Sequence, residues 1–108
     1  MTLKVAAVGA GYFAQYHYDA WRRIDNVDLV GICDQDVARA NSTAARFSIP
    51  LVFDEFEMML RETKPDVVDI ITPPTSHEEL VDLAITSGAA IICQKPLAAT
   101  LADAYRMV

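Results

Sequence analysis

The sequence predicts an α/β fold built on an open, doubly wound parallel sheet, and three observations carry that expectation. Residues 5–8, 29–33, 67–71 and 89–93 are short, nearly continuous apolar runs rich in Val and Ile. They do not alternate with polar residues, which is how strands buried on both faces of a helix-covered parallel sheet read. Segments of helical periodicity lie between the runs, and right-handed crossovers then wind the units to either side of one sheet. The third observation is bulk composition. With 108 residues, 53% hydrophobic and 22% charged, the chain has material for one compact domain and one core.

The elements follow in order. After the first run, Phe13, His17, Ala20, Trp21 and Ile24 share one helical face. The second run, 29–33, is followed by a weaker strand at 51–53, just after Pro50. Phe56, Met59 and Leu60 mark the next helix, with Asp54 and Glu57 at capping-box spacing before it. The strand at 67–71 leads to a helix through Leu80, Leu83 and Ala84, opened by Ser76 with Glu79 and closed by Gly88. A fifth strand at 89–93 completes the alternation βαβαβαβαβ. Thr100 and Asp103 then repeat the capping spacing, and Leu101, Ala104, Tyr105 and Val108 continue an apolar face without a stop signal. The expectation is one domain over residues 1–108, five-stranded, cut in its C-terminal helix and short of a sixth strand.

Charge and cysteine usage exclude several classes. A formal charge of -6 opposes binding to nucleic acid or to an anionic membrane surface. It does not oppose a dinucleotide, which backbone N–H groups and a helix dipole can hold. Cys33 and Cys93 lie in apolar runs without metal-ligand spacing, so two buried thiols are expected and no metal site. No apolar run approaches the roughly 20 residues of a membrane span, and a strand starting almost at Met1 leaves no signal peptide. The expected setting is cytoplasmic.

Gly9-Ala10-Gly11-Tyr12-Phe13-Ala14 forms G-x-G-x-x-A between the first strand and the first helix. Gly9 permits the tight turn, Gly11 lets backbone approach a pyrophosphate, and the small Ala14 lets the helix pack on the sheet. The helix start then presents N–H groups and its positive dipole end. Asp34 ends the next strand, where a carboxylate accepts hydrogen bonds from both ribose hydroxyls and repels a 2′-phosphate. Gln35 and Asp36 follow it, with no Arg directly after, so NAD is expected over NADP. His17 reads as a packed helix residue, and Asp66 and Asp69 as solvated or capping groups beside a strand.

Two more strand ends carry distinctive residues: Thr72-Pro73-Pro74-Thr75-Ser76-His77 and Gln94-Lys95-Pro96. With the glycine turn, Asp34 and Pro65-Asp66-Val67-Val68, they occur in the order found in the glucose–fructose oxidoreductase / inositol dehydrogenase (Gfo/Idh/MocA) family. The chain resembles that family's N-terminal Rossmann domain over essentially its whole length. The resemblance implies a dehydrogenase exchanging hydride between NAD(H) and a hydroxyl-bearing carbon of a sugar, cyclitol or related polyol. It implies that Lys95 lies near the nicotinamide and the reacting hydroxyl as a catalytic residue. It also implies that Thr72, Pro73, His77 and Gln94 are on the cofactor side; the place of His77 directly after the Ser76 cap predicts that its ring faces the strand-end cleft. A cis bond before Pro96 would aim Lys95 into the cleft.

Gln94 departs from the family's Glu, keeping its shape and losing its charge, which weakens Lys95 as a base. A non-catalytic NAD-sensing protein of the same fold therefore stays open beside the enzyme. A methyltransferase-like nucleotide domain is disfavoured by the Thr72–His77 and Gln94–Pro96 segments. The family's substrate domain is absent from these residues, and an open edge on the fifth strand would favour a homo-oligomer.

Overall fold

The computed structural model describes residues 2–12, 14–73, 76–93, 102, 106 and 107. Nine elements alternate along it: β1 (Leu3–Val8), α1 (Ala14–Arg22), β2 (Val27–Cys33), α2 (Val37–Phe47), β3 (Leu51–Phe53), α3 (Phe56–Thr63), β4 (Val67–Ile70), α4 (His77–Ser87) and β5 (Ala90–Cys93). All strand pairs are parallel, in the order β3-β2-β1-β4-β5. The chain starts at the centre, winds out to one edge, returns, and winds to the other. The predicted doubly wound sheet is the observed one.

The strand pattern has a direct cause. Successive side chains point to opposite faces, and here both faces are covered. Val5 and Ala7 of β1 pack with Ala14 and Tyr18 of α1 and Ala44 of α2. Ala6 and Val8 pack on the other side with Phe56, Met59 and Leu60 of α3 and with Ala84 of α4. In the central strands each face thus needs apolar residues and alternation disappears, whereas the edge strand β5, expected to be buried on both faces, alternates, with Ala90 and Ile92 exposed. Connections from β1 and β4 leave to opposite faces, so a crevice opens beyond their carboxyl ends, where ligands of such sheets bind.

Several local expectations are corrected. The buried stripe of α1 is Ala14 and Tyr18, while Ala20 and Ile24 are exposed. A small residue and a polar-tipped aromatic fill the space against β1, which shifts the stripe around the helix from the apolar count. Phe13 lies outside the described residues. Asp54 does not cap α3, whose N-cap is Glu55 without a side-chain bond. Ser76 is the N-cap of α4 but spends its hydroxyl on the preceding loop rather than on the helix. Gly88 ends α4 as expected, at a φ of 82°. The α2 helix, capped by Asp36 through the Arg39 N–H at 3.2 Å, is the unlabelled helix of the alternation.

Cys33 is buried, whereas Cys93 is only partly so, and both are thiols. Residues 102, 106 and 107 are helical, and Arg106 pairs with Glu78 of α4 at 2.9 Å. Among the described residues no helix is long and apolar enough to cross a membrane.

Candidate functional site

The crevice is organised around the turn after β1. Gly9 has a φ of 117°, and a Cβ there would sit 2.8 Å from the Ile71 carbonyl oxygen. Glycine is therefore required by the protein's own backbone. The Gly9 N–H donates to the Cys33 carbonyl at 2.8 Å, tying the turn to the end of β2. Tyr18, fully buried in α1, donates its hydroxyl to the Gly9 carbonyl at 2.7 Å. Burial, then the Asp69 and Asp34 carboxylates, hold the Tyr18 phenol well above its usual range, so it remains a donor. Gly11 differs: a Cβ there would meet no atom within 4 Å. The space in front of it is open, at the start of α1 where Ala14 packs against the sheet and donates to the Gly11 carbonyl at 3.1 Å. Tyr12 is exposed beside it.

Asp34, 9% exposed, is anchored by backbone. Its Oδ2 accepts the Ala10 N–H at 2.7 Å and its Oδ1 the Asp36 N–H at 2.8 Å. Arg39 Nη2 lies 3.2 Å and 3.4 Å from the two oxygens. A cleft of about 640 Å³ opens here, with Val8, Cys33, Asp34 and Arg39 on one side and Thr72, Pro73 and Ser76 on the other. Burial and then the Asp34 carboxylate push the Cys33 thiol up to about 11, so it lines the cleft as S–H.

The loop after β4 is internally tied. His77 is fully buried, and its Nε2 donates to the Thr72 carbonyl at 2.6 Å. Ser76 Oγ donates to the Pro73 carbonyl at 2.8 Å and accepts from the Thr72 hydroxyl at 2.6 Å. The expectation that the His77 ring faces the cleft is corrected: the ring turns under the loop, and Thr72 and Pro73 present the surface. Gln94 and Lys95 lie outside the described residues, as do Pro74, Thr75 and Pro96.

Asp69 overturns a second expectation. It is 1% exposed, not solvated. Its Oδ2 accepts from Trp21 Nε1 at 2.8 Å and from His17 Nδ1 at 2.9 Å, while Oδ1 has no hydrogen-bond partner among the described residues. His17 is accordingly a bonded, half-buried residue that fastens α1 to β4. Together with the Tyr18–Gly9 bond this fixes α1 on both strands that border the crevice. Asp69→Asn, which cannot accept from both donors as well, should lower stability by about 1–2 kcal/mol, read from the midpoint of denaturant unfolding.

A family model described as an oxidoreductase family with an NAD-binding Rossmann fold matches residues 3–108. D-apiose dehydrogenase of Paraburkholderia graminis is 44% identical over 97% of this chain and 28% of its own length. An oxidoreductase from Agrobacterium radiobacter, solved in complex with NAD+, L-tartaric acid and magnesium, is 34% identical with a TM-score of 0.94, over 99% of this chain and 31% of that one. The myo-inositol dehydrogenase of Lactobacillus casei, solved with NAD(H) and myo-inositol, is 27% identical with a TM-score of 0.92, over 99% and 32%. The chain thus spans about 30% of the length of the relatives it matches.

Proposed function

Since the chain belongs to the Gfo/Idh/MocA oxidoreductase family, with its NAD-binding Rossmann fold, we propose that it is the NAD-binding part of a dehydrogenase acting on a sugar, cyclitol or related polyol. The observation that carries this reading is the Asp34 carboxylate, held by the Ala10 N–H at 2.7 Å beside the glycine turn. A carboxylate so placed accepts both hydroxyls of an adenosine ribose.

The residues fit the group. Gly9, Gly11, Tyr12, Phe13 and Ala14 hold the pyrophosphate at the start of α1, and the open space at Gly11 admits it without a side chain in the way. Thr72 and Pro73 line the opposite wall, with His77 holding the Thr72 carbonyl from below. When bound, NAD(H) supplies the hydride acceptor or donor. Lys95, with Gln94 beside it, orients the substrate hydroxyl and holds or moves a proton at Nζ. The sugar and cyclitol named for the relatives support the substrate class.

A fluorescence titration tests the reading. NADH should bind more tightly than NADPH, and Asp34→Ser should weaken NADH about 10- to 100-fold, the loss of hydrogen bonds to a charged acceptor. An unchanged NADH affinity would move the ribose contact elsewhere. A non-catalytic NAD sensor remains the second reading, favoured by Gln94 standing where the family has Glu. A panel of pentoses, aldoses and cyclitols offered to the intact protein separates the two by turnover.

A further inference from the structure

The peptide joining Gly9 to Ala10 is held at both ends by side chains from different elements. Its carbonyl accepts the Tyr18 hydroxyl of α1 at 2.7 Å, and its N–H donates to Asp34 Oδ2, just past the end of β2, at 2.7 Å. In a trans peptide these two groups point in opposite directions. Since Asp34 lines the cleft, the carbonyl is turned away from it, into the buried cluster that contains Tyr18. The turn itself does not enforce this. Gly9 stands at a φ of 117°, and glycine is the residue that least restricts rotation of the peptide plane that follows it. With the plane reversed, the Gly9 oxygen would face the Asp34 carboxylate, acceptor against acceptor, on the cleft side. Tyr18 is fully buried, and a buried hydroxyl or carbonyl left unbonded is costly. The ring therefore favours one orientation of the plane.

From this geometry we infer that Tyr18 is a positioning residue for the dinucleotide: from beneath the turn it sets the Gly9–Ala10 plane, keeping the carbonyl out of the cleft and the Ala10 N–H on Asp34. This role rests on the NAD reading of the site. Buried under the turn, Tyr18 acts through the peptide and not by contact with the ligand. Without its hydroxyl the Gly9 carbonyl has lost its donor, and the plane is free to turn. Asp34 then loses the N–H that orients its carboxylate toward a ribose, and a carbonyl oxygen is admitted to the side where phosphates bind. Donation into the carbonyl also polarises the amide and strengthens the N–H bond on its far side. A role confined to packing would be served almost as well by phenylalanine, which has nearly the same volume.

The experiment compares the intact protein with Tyr18→Phe and Trp21→Phe. Each variant removes a hydrogen bond that fastens α1, but the bond of Trp21 Nε1 goes to Asp69 and not to the turn. Thermal melts check that both variants fold. In a fluorescence titration, NADH affinity should fall about threefold to tenfold in Tyr18→Phe, as for a lost hydrogen bond, and change by less than about twofold in Trp21→Phe. A second readout needs no nucleotide. The Ala10 amide proton, resolved by NMR in protein labelled on alanine nitrogen, should exchange slowly with solvent in the unaltered protein and in Trp21→Phe. In Tyr18→Phe it should exchange at least about tenfold faster. A rapidly exchanging Ala10 amide in the unaltered protein overturns the assignment of Tyr18 without recourse to any variant. Equal weakening of NADH in the two variants, or an unchanged affinity in Tyr18→Phe, overturns it while leaving NAD binding standing. If the unaltered protein binds no NADH, the cofactor reading falls and this inference with it.

Discussion

Gly9→Ala should both destabilise the fold and abolish dinucleotide binding, whereas Gly11→Ala should abolish or sharply weaken binding with the fold intact. At Gly9 a methyl group meets the Ile71 carbonyl at 2.8 Å on a backbone held at a φ of 117°. The left-handed backbone costs an L-residue about 1–3 kcal/mol, and the forced contact adds about 1–3 kcal/mol more. Against a domain stability of roughly 5–15 kcal/mol that is a large share. The unfolding midpoint should fall by on the order of 10–20 °C in a thermal melt. Relief of the clash requires the turn to move off β4, which also breaks the Gly9 bonds to Cys33 and Tyr18. At Gly11 no protein atom stands within 4 Å of an added Cβ, so the melt should move by less than about 3 °C. The added methyl instead occupies the space a pyrophosphate needs. If Gly11→Ala binds NADH normally, the phosphate does not lie there.

Lys95→Ala, made in the intact protein, should reduce kcat by about 10²- to 10⁴-fold while NADH affinity changes by less than about threefold. The range is what a positioned acid–base group contributes. The split is expected because the proposed reading has the cofactor held chiefly by the turn, Asp34 and the Thr72–Pro73 wall. A loss of binding equal to the loss of turnover would make Lys95 a cofactor anchor instead. Gln94→Glu, restoring the charge beside it, should raise the activity of an enzyme and leave a sensor silent.

How much of this was legible in the sequence depended on the range of each signal. Strands buried on both faces announce themselves locally, so 51–53 agreed with β3 and the other runs came within two residues of the observed strands. The turn was legible for the same reason: Gly9, Gly11, Ala14 and Asp34 act through spacing along the chain. The face of α1 was legible only in part: Trp21 packs against the core as expected, whereas Tyr18 is core through its bond to the Gly9 carbonyl nine residues back. A carboxylate in the middle of an apolar strand was the available clue that Asp69 is buried and paired. The Arg39 contact to Asp34 was not legible in the residues directly after the acid, because the capped first turn of α2 folds position 39 back over it. His77 was correctly placed at the start of α4, but its ring followed the nearest carbonyl rather than the open side.

The hydrogen bond between Asp34 and the Ala10 N–H has a mechanical consequence. It makes the ribose acceptor and the phosphate turn a single strut, so neither can shift alone. On the proposed reading, ribose and pyrophosphate recognition would be thermodynamically coupled, and the effects of substitutions at Asp34 and in the turn should not add. Because the strut is already braced by Cys33, Tyr18 and Asp36 in the free chain, little backbone order remains to be acquired on association. The turn behaves less as a loop that wraps its ligand than as a rigid seat on which the ligand comes to rest.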